Sequence, residues 1–568
     1  MKRQERGVAL ILVMILLFVL SVMAASLLFL SQTETWSSMN YRLMTQSRYG
    51  AEAGLEKAVN YLLYTYSPPV TNTSDPASGY DLVNVPATTD PVFTTVTTAT
   101  NGITSVDNDL VGVVLHGTST PVVLSSDSNV TSHYPISTVQ SGFSSNTSGS
   151  LSAGNITVNY VAHAVLLSMT RVTPYGTTAS VTAQAWRVTG DATISGATNA
   201  KVEVSTIVET QVSPIFSYAA FATSQECGAL NFAGGGTTGS YNDKNVTVVS
   251  GVPSVTTSNS QGNVGTNGNL TVAGNPTNIY GTLSTPRTGA SSSGCTNSSS
   301  GVASVGYTGK LTNGSAVQVS SGILQLPQTL SYPTPVIPAS GSTTVSLSQS
   351  TCPSNSSTWC STPSGSNPNH DITLLPTCAG AVTSCTTPGT YGDINISGQV
   401  TLHLQQGIYN INTLQMQGNN VSLVIDSGPV IINVSGVPNT TNGVTCTQTP
   451  NPSTPIIPPP ATSFCTGNFV SLSGNSVENA ALDPLNFQLR YAGYGNIQLK
   501  GGTDASGLLY APNAFFSFAS SNAAWYGAVI GLQLTDTGGS SIYYDTNLKN
   551  DGFFVLNPML SAFTWKKY

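Results

Sequence analysis

Gly7-Val8-Ala9-Leu10-Ile11-Leu12 opens an uncharged run that reaches Thr33, and Val8 to Leu30 within it is nearly all Leu, Ile, Val, Met, Ala and Phe. At about 1.5 Å rise per residue, a helix over 8–30 is long enough to cross a hydrocarbon core of about 30 Å. Lys2, Arg3 and Arg6 precede it, which places the short N-terminus on the cytoplasmic side. The sequence then continues from Glu34 to Tyr66 without proline, until Ser67-Pro68-Pro69 stops it. Met44, Ala51, Leu55, Val59, Leu62 and Tyr66 recur at helical spacings, with Glu52, Glu56 and Lys57 off that stripe, the pattern of an amphipathic helix. One helix over 8–66 follows, apolar all round in its first half and one-sided in its second. A cleaved secretory signal is one reading, with Val22-Met23-Ala24 as its cleavage site, and a plain membrane anchor is another. A signal peptide has no reason to be fused to the amphipathic continuation.

A third reading comes from resemblance. Arg3-Gln4-Glu5-Arg6-Gly7-Val8-Ala9-Leu10-Ile11-Leu12 resembles the processing site of type IV prepilins, specifically minor pilins with a PilX-type N-terminus. Ser47-Arg48-Tyr49-Gly50-Ala51-Glu52-Ala53-Gly54-Leu55-Glu56 resembles the stretch such proteins carry further along the same helix. The resemblance implies that residues 1–7 are a leader, that prepilin peptidase cuts between Gly7 and Val8, and that the new amino group of Val8 is methylated. It also implies other pilins as partners through the N-terminal helix. Residence would be in the bacterial inner membrane before assembly, and on the pilus or cell surface afterwards. Major pilins carry an intramembrane glutamate where this chain has Leu12. An intramembrane carboxylate is costly without a partner, and a subunit without one is suited to starting or capping a filament. The bland alternative is that Leu12 merely adds apolar length.

Only 41 of the 568 residues are Lys, Arg, Asp or Glu, 7% against about 25% in ordinary soluble domains. Ten of these lie in the first 57 residues. The net charge of −7 speaks against nucleic acid as a partner, since such binding rests on phosphate neutralisation by Lys and Arg. With 54 Gly, 32 Pro and 39% hydrophobic residues, the chain reads as many short strands and turns, mainly β behind the helix.

Residues 67–215 read as a β-rich, pilin-like head. Up to about 150 the strands and long loops are weakly patterned; alternation then strengthens at Ile156-x-Val158-x-Tyr160, Val181-x-Ala183-x-Ala185 and Val202-x-Val204. Residues 216–568 form a second β region. Ile394-x-Ile396, Val400-x-Leu402-x-Leu404, Leu414-x-Met416, Val421-x-Leu423-x-Ile425 and Val430-x-Ile432-x-Val434 are separated by Gly398, Gly407, Gly418, Gly428 and Gly436. Such regularity suits a sandwich, a barrel or a parallel β-helix, and the number of runs favours the β-helix. Gly407-Ile408-Tyr409, Leu509-Tyr510-Ala511-Pro512 and Ile542-Tyr543-Tyr544-Asp545 resemble the C-terminal β-rich domain found fused to PilX-type pilins; no activity comes with that resemblance. Residues 326–390 and 437–467, rich in Ser and Pro, read as insertions.

Cys227, Cys295, Cys352, Cys360, Cys378, Cys385, Cys446 and Cys465 are even in number and fit extracytoplasmic disulfides. Neighbour pairing (Cys352 with Cys360, Cys378 with Cys385, Cys446 with Cys465) is one of 105 connectivities. Their spacing does not suit zinc. His116, His133, His163, His370 and His403 show no metal spacing. Gly234-Gly235-Gly236 lacks the Lys-Ser/Thr of a phosphate loop and reads as a turn, while Asp545, Asn547 and Asp551 read as a solvated loop rather than a cation site. No cofactor, metal or catalytic residue is expected. The expected function is filament assembly with display of the β domain at or near the tip for adhesion to a surface glycan or protein. A permanently anchored surface protein and a carbohydrate-active β-helix enzyme remain the alternatives.

Overall fold

The computed structural model describes residues 5–66, 94–100, 103–112, 121–286 and 303–566. The last two ranges omit 135, 154–155, 173, 178–180, 195–199, 227, 250–251, 273–276, 306–316, 340–342, 348–359, 362–370, 377–390, 399, 419–420, 438–443, 447–464, 473–475, 501–503, 520–522 and 551–552. The chain divides into two compact units. The first comprises Met1–Val172, Ser180–Gln211 and Pro558–Tyr568; the second comprises Thr173–Ala179 and Val212–Asn557. The architecture is mainly β behind one long helix, as the sequence predicts. The partition differs from the sequence reading in two respects: Thr173–Ala179 and the residues from Val212 on belong to the second unit, and the last residues of the 216–568 segment belong to the first, because the final strand, Phe554–Lys566, joins its sheet.

In the first unit, α1 spans Glu5–Tyr64 without a break. It is followed by β1 (Thr94–Thr100), β2 (Ile103–Gly112), β3 (Val123–Ser125), α2 (Ser137–Thr147), β4 (Gly149–Ala153), β5 (Ile156–Val172), β6 (Val181–Ile194) and β7 (Ala200–Pro214). β1 and β2 form an antiparallel hairpin. The main sheet runs β3-β5-β6-β7 and then the final strand, with β4 beside β5. α2 lies where the sequence suggested only strands and loops. Its Ser- and Gly-rich run has no side-chain cap, and it is held from outside: Phe143 is fully buried and meets Tyr61 of α1 edge-on at 5.5 Å. Alternate residues of β5 (Val158, Tyr160, Ala162, Ala164, Leu166) form one core with the second half of α1, as the period of two along a strand requires.

The opposite face of β5 buries His163 beside Asp191 of β6, with Nδ1 and Oδ2 3.6 Å apart, and Lys201 of β7 approaches the same carboxylate at 3.5 Å. Burial raises the Asp191 pKa, the nearby His163 and Lys201 only partly offsetting it. A raised carboxyl pKa means that the folded state holds its proton more tightly than the unfolded chain. This group therefore favours folding most in acid, and its contribution falls as pH rises from the ordinary carboxylate range of about 3.9 through the folded value. Asp191→Asn should flatten that dependence. In thermal melts from about pH 3 to 7, the variant should gain on the native protein as pH rises; a constant Tm difference would show that Asp191 does not titrate between the two states.

The second unit is a stack of parallel strands. A single column of register partners runs Val345, Ile394, Leu414, Val470, Ile497, Phe516, Leu534, Leu230, Leu270, and every member is at most 3% exposed. A second column runs Tyr409, Ile432, Leu489, Leu509, Val529, Ala220, Val264, Leu283. These are the apolar positions of the period-two runs. Of the spacer glycines, Gly407 (φ 151°) and Gly418 (φ 131°) occupy backbone angles that side chains disfavour, at corners where the chain passes between neighbouring strands of one rung. A smaller parallel set, Asp371–Leu374, Thr401–Leu404, Ser422–Ile425 and Ser476–Glu478, stacks alongside.

The order of the columns is not the order of the chain. The first strands of the unit, β8 (Ala220–Ala222), β9 (Leu230–Phe232) and β10 (Thr237–Tyr241), lie inside the stack. On one side they pair with Val264–Thr266, Leu270–Val272 and Thr277–Ile279; on the other they pair with Ala524–Asp536 and Ser541–Asp545. The chain winds outward to Ile323–Gln325 and then returns. Leu330 exchanges two hydrogen bonds with the Asn267 side chain (2.8 Å each), Tyr332 packs on Phe221 at 4.8 Å, Tyr510 donates to Pro333 O, and Asn513 Nδ2 reaches Thr334 Oγ1 at 3.2 Å. The described start of the 326–390 insertion is thus a strap across successive rungs.

Candidate functional site: the N-terminal helix

The site predicted from sequence lies on α1. Gly7 and Val8 are in its first turns, and Leu12 is 61% exposed in a sleeve of large apolar residues that continues to Leu30. The hydroxyls in and just beyond that sleeve are satisfied within the helix: Ser21 donates to Phe18 O (2.8 Å), Ser26 to Val22 O (2.9 Å) and Thr33 to Phe29 O (2.8 Å). Such back-bonding lets polar residues sit in hydrocarbon without an orphaned donor. α1 is the one helix among the described residues long and apolar enough to span a bilayer.

The second half of α1 docks on its own sheet. Leu43, Ser47, Ala51, Leu55, Ala58, Tyr61 and Leu62 are buried; Met44, Val59 and Tyr66 of the predicted stripe are half-buried at its margins. Close approach is set by glycine. A Cβ on Gly50 would lie 2.4 Å from Val158 Cγ1, one on Gly54 3.0 Å from Val161 O, and one on Gly190 of β6 2.2 Å from Ala51 O. Arg48 and Glu52 pair on the exposed side at 3.4 Å, and the Lys57 ammonium sits 5.6 Å from the centre of the Tyr160 ring. The Gly50-Ala51-Glu52-Ala53-Gly54-Leu55 stretch is therefore the seam between helix and sheet.

Residues 6–56 match the PilX N-terminal family. The chain carries a PilX-type pilin N-terminus. The PilX match covers the exposed sleeve and ends two residues past Gly54, in the docking seam. Residues 364–551 match a domain of unknown function (DUF7305), which spans the rungs from Asp371–Leu374 to Ser541–Asp545. No curated protein matches the chain. Among solved structures, the competence-associated pilin ComZ from Thermus thermophilus aligns over 78% of this chain and 89% of its own at 10% identity, with a TM-score of 0.24, too low to liken the two folds.

Of the cysteines, Cys446 and Cys465 face each other across the antiparallel pair Thr445–Cys446 and Cys465–Thr466, and Cys465 is buried. Cys360 lies on a short strand beside Asp371–Leu374. Cys227, Cys295, Cys352, Cys378 and Cys385 fall outside the described residues, as do His116, His370 and Asp551. His133 is exposed, and His403 meets Asp426 at 2.8 Å. The latter contact arises from parallel stacking and that of His163 with Asp191 from antiparallel pairing of β5 with β6, and neither has a signature in the sequence. Among the described residues no three His, Cys, Asp or Glu side chains converge as metal ligands.

Asp545 corrects the sequence reading: it is 1% exposed rather than solvated, and its Oδ1 accepts the backbone N–H groups of Asp243 (3.3 Å) and Asn547 (3.2 Å). Gly234-Gly235-Gly236 is a turn, as predicted. It is pressed against the 536–540 turn, with Gly234 N donating to Asp536 O at 2.9 Å.

Proposed function

We propose that the chain is a minor pilin, a prepilin cut after Gly7 and methylated on Val8 that joins a type IV pilus or related filament through residues 8–30. The observation that carries this is the PilX-type N-terminus on a helix whose first half is an unburied apolar sleeve and whose second half is seated on its own sheet. Such a helix has one half committed to the protein and one half available to lipid or neighbouring pilin helices. Leu12 supplies no carboxylate to a neighbour's terminal amine, which suits a subunit that starts or caps the filament and displays its β domain for adhesion. The positive N-terminus stays cytoplasmic until assembly. Scarce charge behind residue 57 supports a displayed rather than a catalytic body, with stacked parallel rungs as its β-helical frame. The opposed Cys446 and Cys465 support a disulfide at the neck of the 447–464 loop, formed outside the cytoplasm.

Intact-mass measurement of the protein from membranes and from sheared filaments tests the reading. The expected mature chain begins at methylated Val8 and lacks the hydrogens of the bridged thiols, and Gly7→Leu leaves the full precursor in the membrane and none in filaments. A native chain that begins at Met1, or one absent from sheared filaments, makes it a permanently anchored protein instead.

A further inference from the structure

The strands Gly407–Ile411, Val430–Val434, Phe487–Tyr491 and Ala505–Phe518 stack in parallel, and their outward residues form two further columns. One runs Ile408, Ile431, Gln488, Leu508; the other runs Asn410, Asn433, Arg490, Tyr510. At one end this face is roofed. Leu508 and Tyr510 are buried, Tyr175 meets Tyr510 edge-on at 5.2 Å, and Val336 N donates to Gly176 O at 2.9 Å. At the other end Ile408, Asn410, Ile431 and Asn433 are half-buried, so the roof stops over Phe487–Tyr491. Arg490 stands at that step. Its Cζ lies 4.3 Å from the centre of the Tyr175 ring, Nη2 donates to Gln488 Oε1 at 2.9 Å, and Nε is buried without an acceptor.

Four cations are described in the second unit. Lys500 and Lys549 are exposed and Lys244 pairs with Asp243. Arg490 is half-buried and, among the described residues, pairs with no carboxylate. A guanidinium drawn partly out of water without a counter-charge is costly, and the Tyr175 ring offsets part of that cost. Its planar fork matches a carboxylate at two points. We propose that this step is a binding site for a carboxylate-bearing glycan. Arg490 takes the carboxylate of one sugar, Asn433 and Asn410 bond hydroxyls further along the glycan, and Ile431 and Ile408 lie under the apolar faces of its rings. Neighbouring strands are about 4.8 Å apart, so the glycan meets one amide per rung, and Asn433 Nδ2 already reaches Asn410 Oδ1 at 2.9 Å. One cation beside amides and aliphatic side chains suits a single carboxylate on a hydroxyl-rich chain, whereas a polyphosphate needs several cations. The site gives the adhesive display a class of ligand and rests on that reading for its purpose alone.

The test is isothermal titration of the purified full chain in detergent. The probes are trisaccharides ending in galacturonate, glucuronate or sialate, each beside its methyl ester, and a triglutamate peptide. At least one acid should bind, with its ester weaker by about tenfold or more, as loss of a charge-assisted pair requires. Arg490→Gln should weaken the acid to the level of the ester. Arg490→Lys, which keeps the charge but loses the fork, should weaken it roughly threefold or more, and Asn433→Ala should weaken acid and ester alike. Absence of binding by every acid, equal binding of acid and ester, or undiminished binding by folded Arg490→Gln overturns the proposal. Triglutamate binding as tightly as the best glycan also overturns it. Where Arg490→Gln does not fold, the contrast of acid and ester on native protein still decides. Failed binding leaves cleavage after Gly7 and entry into filaments untouched, and absence from filaments leaves binding untouched, so the two readings fail separately.

Discussion

Gly190→Ala should lower the stability of the first unit by about 3 kcal/mol, the upper part of the usual range for overpacking. The added methyl would stand 2.2 Å from Ala51 O, 2.7 Å from Leu55 N and 3.0 Å from Leu55 Cβ. Two of those atoms are helix backbone, which cannot turn aside as a side chain can, so α1 must lift from β6 along the seam. Lifting it opens the packing of Ala51, Leu55 and Ala58 against Ala164, Val188 and Ala192, all buried in one core. A drop in Tm of roughly 6–12 °C is expected for a unit of this size, read on full-length protein in detergent. Gly142→Ala is the control, because its Cβ would meet only the Tyr61 hydroxyl end at 2.8 Å, and that ring can adjust. Equal effects from the two substitutions would show that the helix does not depend on close approach at Gly190.

Asn412→Leu should destabilise the second unit by about 3–5 kcal/mol, the cost of stripping a partner from a buried charge. Asn412 Nδ2 donates to Asp393 Oδ1 at 2.6 Å and to Val437 O at 3.1 Å, while its Oδ1 accepts from Ser435 Oγ at 3.0 Å and Val437 N at 2.7 Å. Asp393 is 2% exposed, and Thr413 Oγ1 donates to the same carboxylate oxygen at 2.9 Å. Leucine is of similar volume but makes none of these bonds, so the buried carboxylate loses a donor while Ser435 and Val437 lose an acceptor. Asn410→Leu removes the amide pairing with Asn433 at 2.9 Å at a partly buried position and should cost less than Asn412→Leu, since this pairing holds no carboxylate. Chemical denaturation of both variants checks the contrast. A loss below that of Asn410→Leu would show that Asp393 is held by other donors.

Both residues mark a boundary in what was readable. The helix was legible because its signals are local: an uncharged run of bilayer length, then an apolar stripe ended by Ser67-Pro68-Pro69. The stripe was displaced slightly in detail, to Leu43, Ser47 and Ala58; Ser47 and Ala58 are small enough for a glycine-lined seam to cover them completely, while Met44 and Val59 lie at its margins. The rungs were legible because Val, Ile and Leu at every second position between glycines follow from strand geometry alone. α2 was not legible. Ser137–Thr147 carries no stripe and no cap, and it stays helical through Phe143 and Tyr61, which are far apart in sequence. Asp545 was misread for the same reason: a carboxylate before Thr546-Asn547 looks like a loop residue until the stack brings the Asp243 backbone to it.

By itself the sequence determined the long helix, its apolar half and the presence of a repetitive β body, all properties of period and composition along a single stretch of chain, and the PilX-type N-terminus by its likeness to that family. The tertiary structure alone decided which strands are neighbours. It put residues 220–241 between 264–285 and 524–545, took the final strand out of the 216–568 body, and turned Gly234, Gly236 and Gly190 from permissive residues into obligatory ones. The physical reason is that parallel pairing specifies side-chain alternation and register but not which run lies next to which. Every aliphatic run in this chain offers nearly the same edge, and only close approach at glycine turns and buried amide networks distinguishes one neighbour from another.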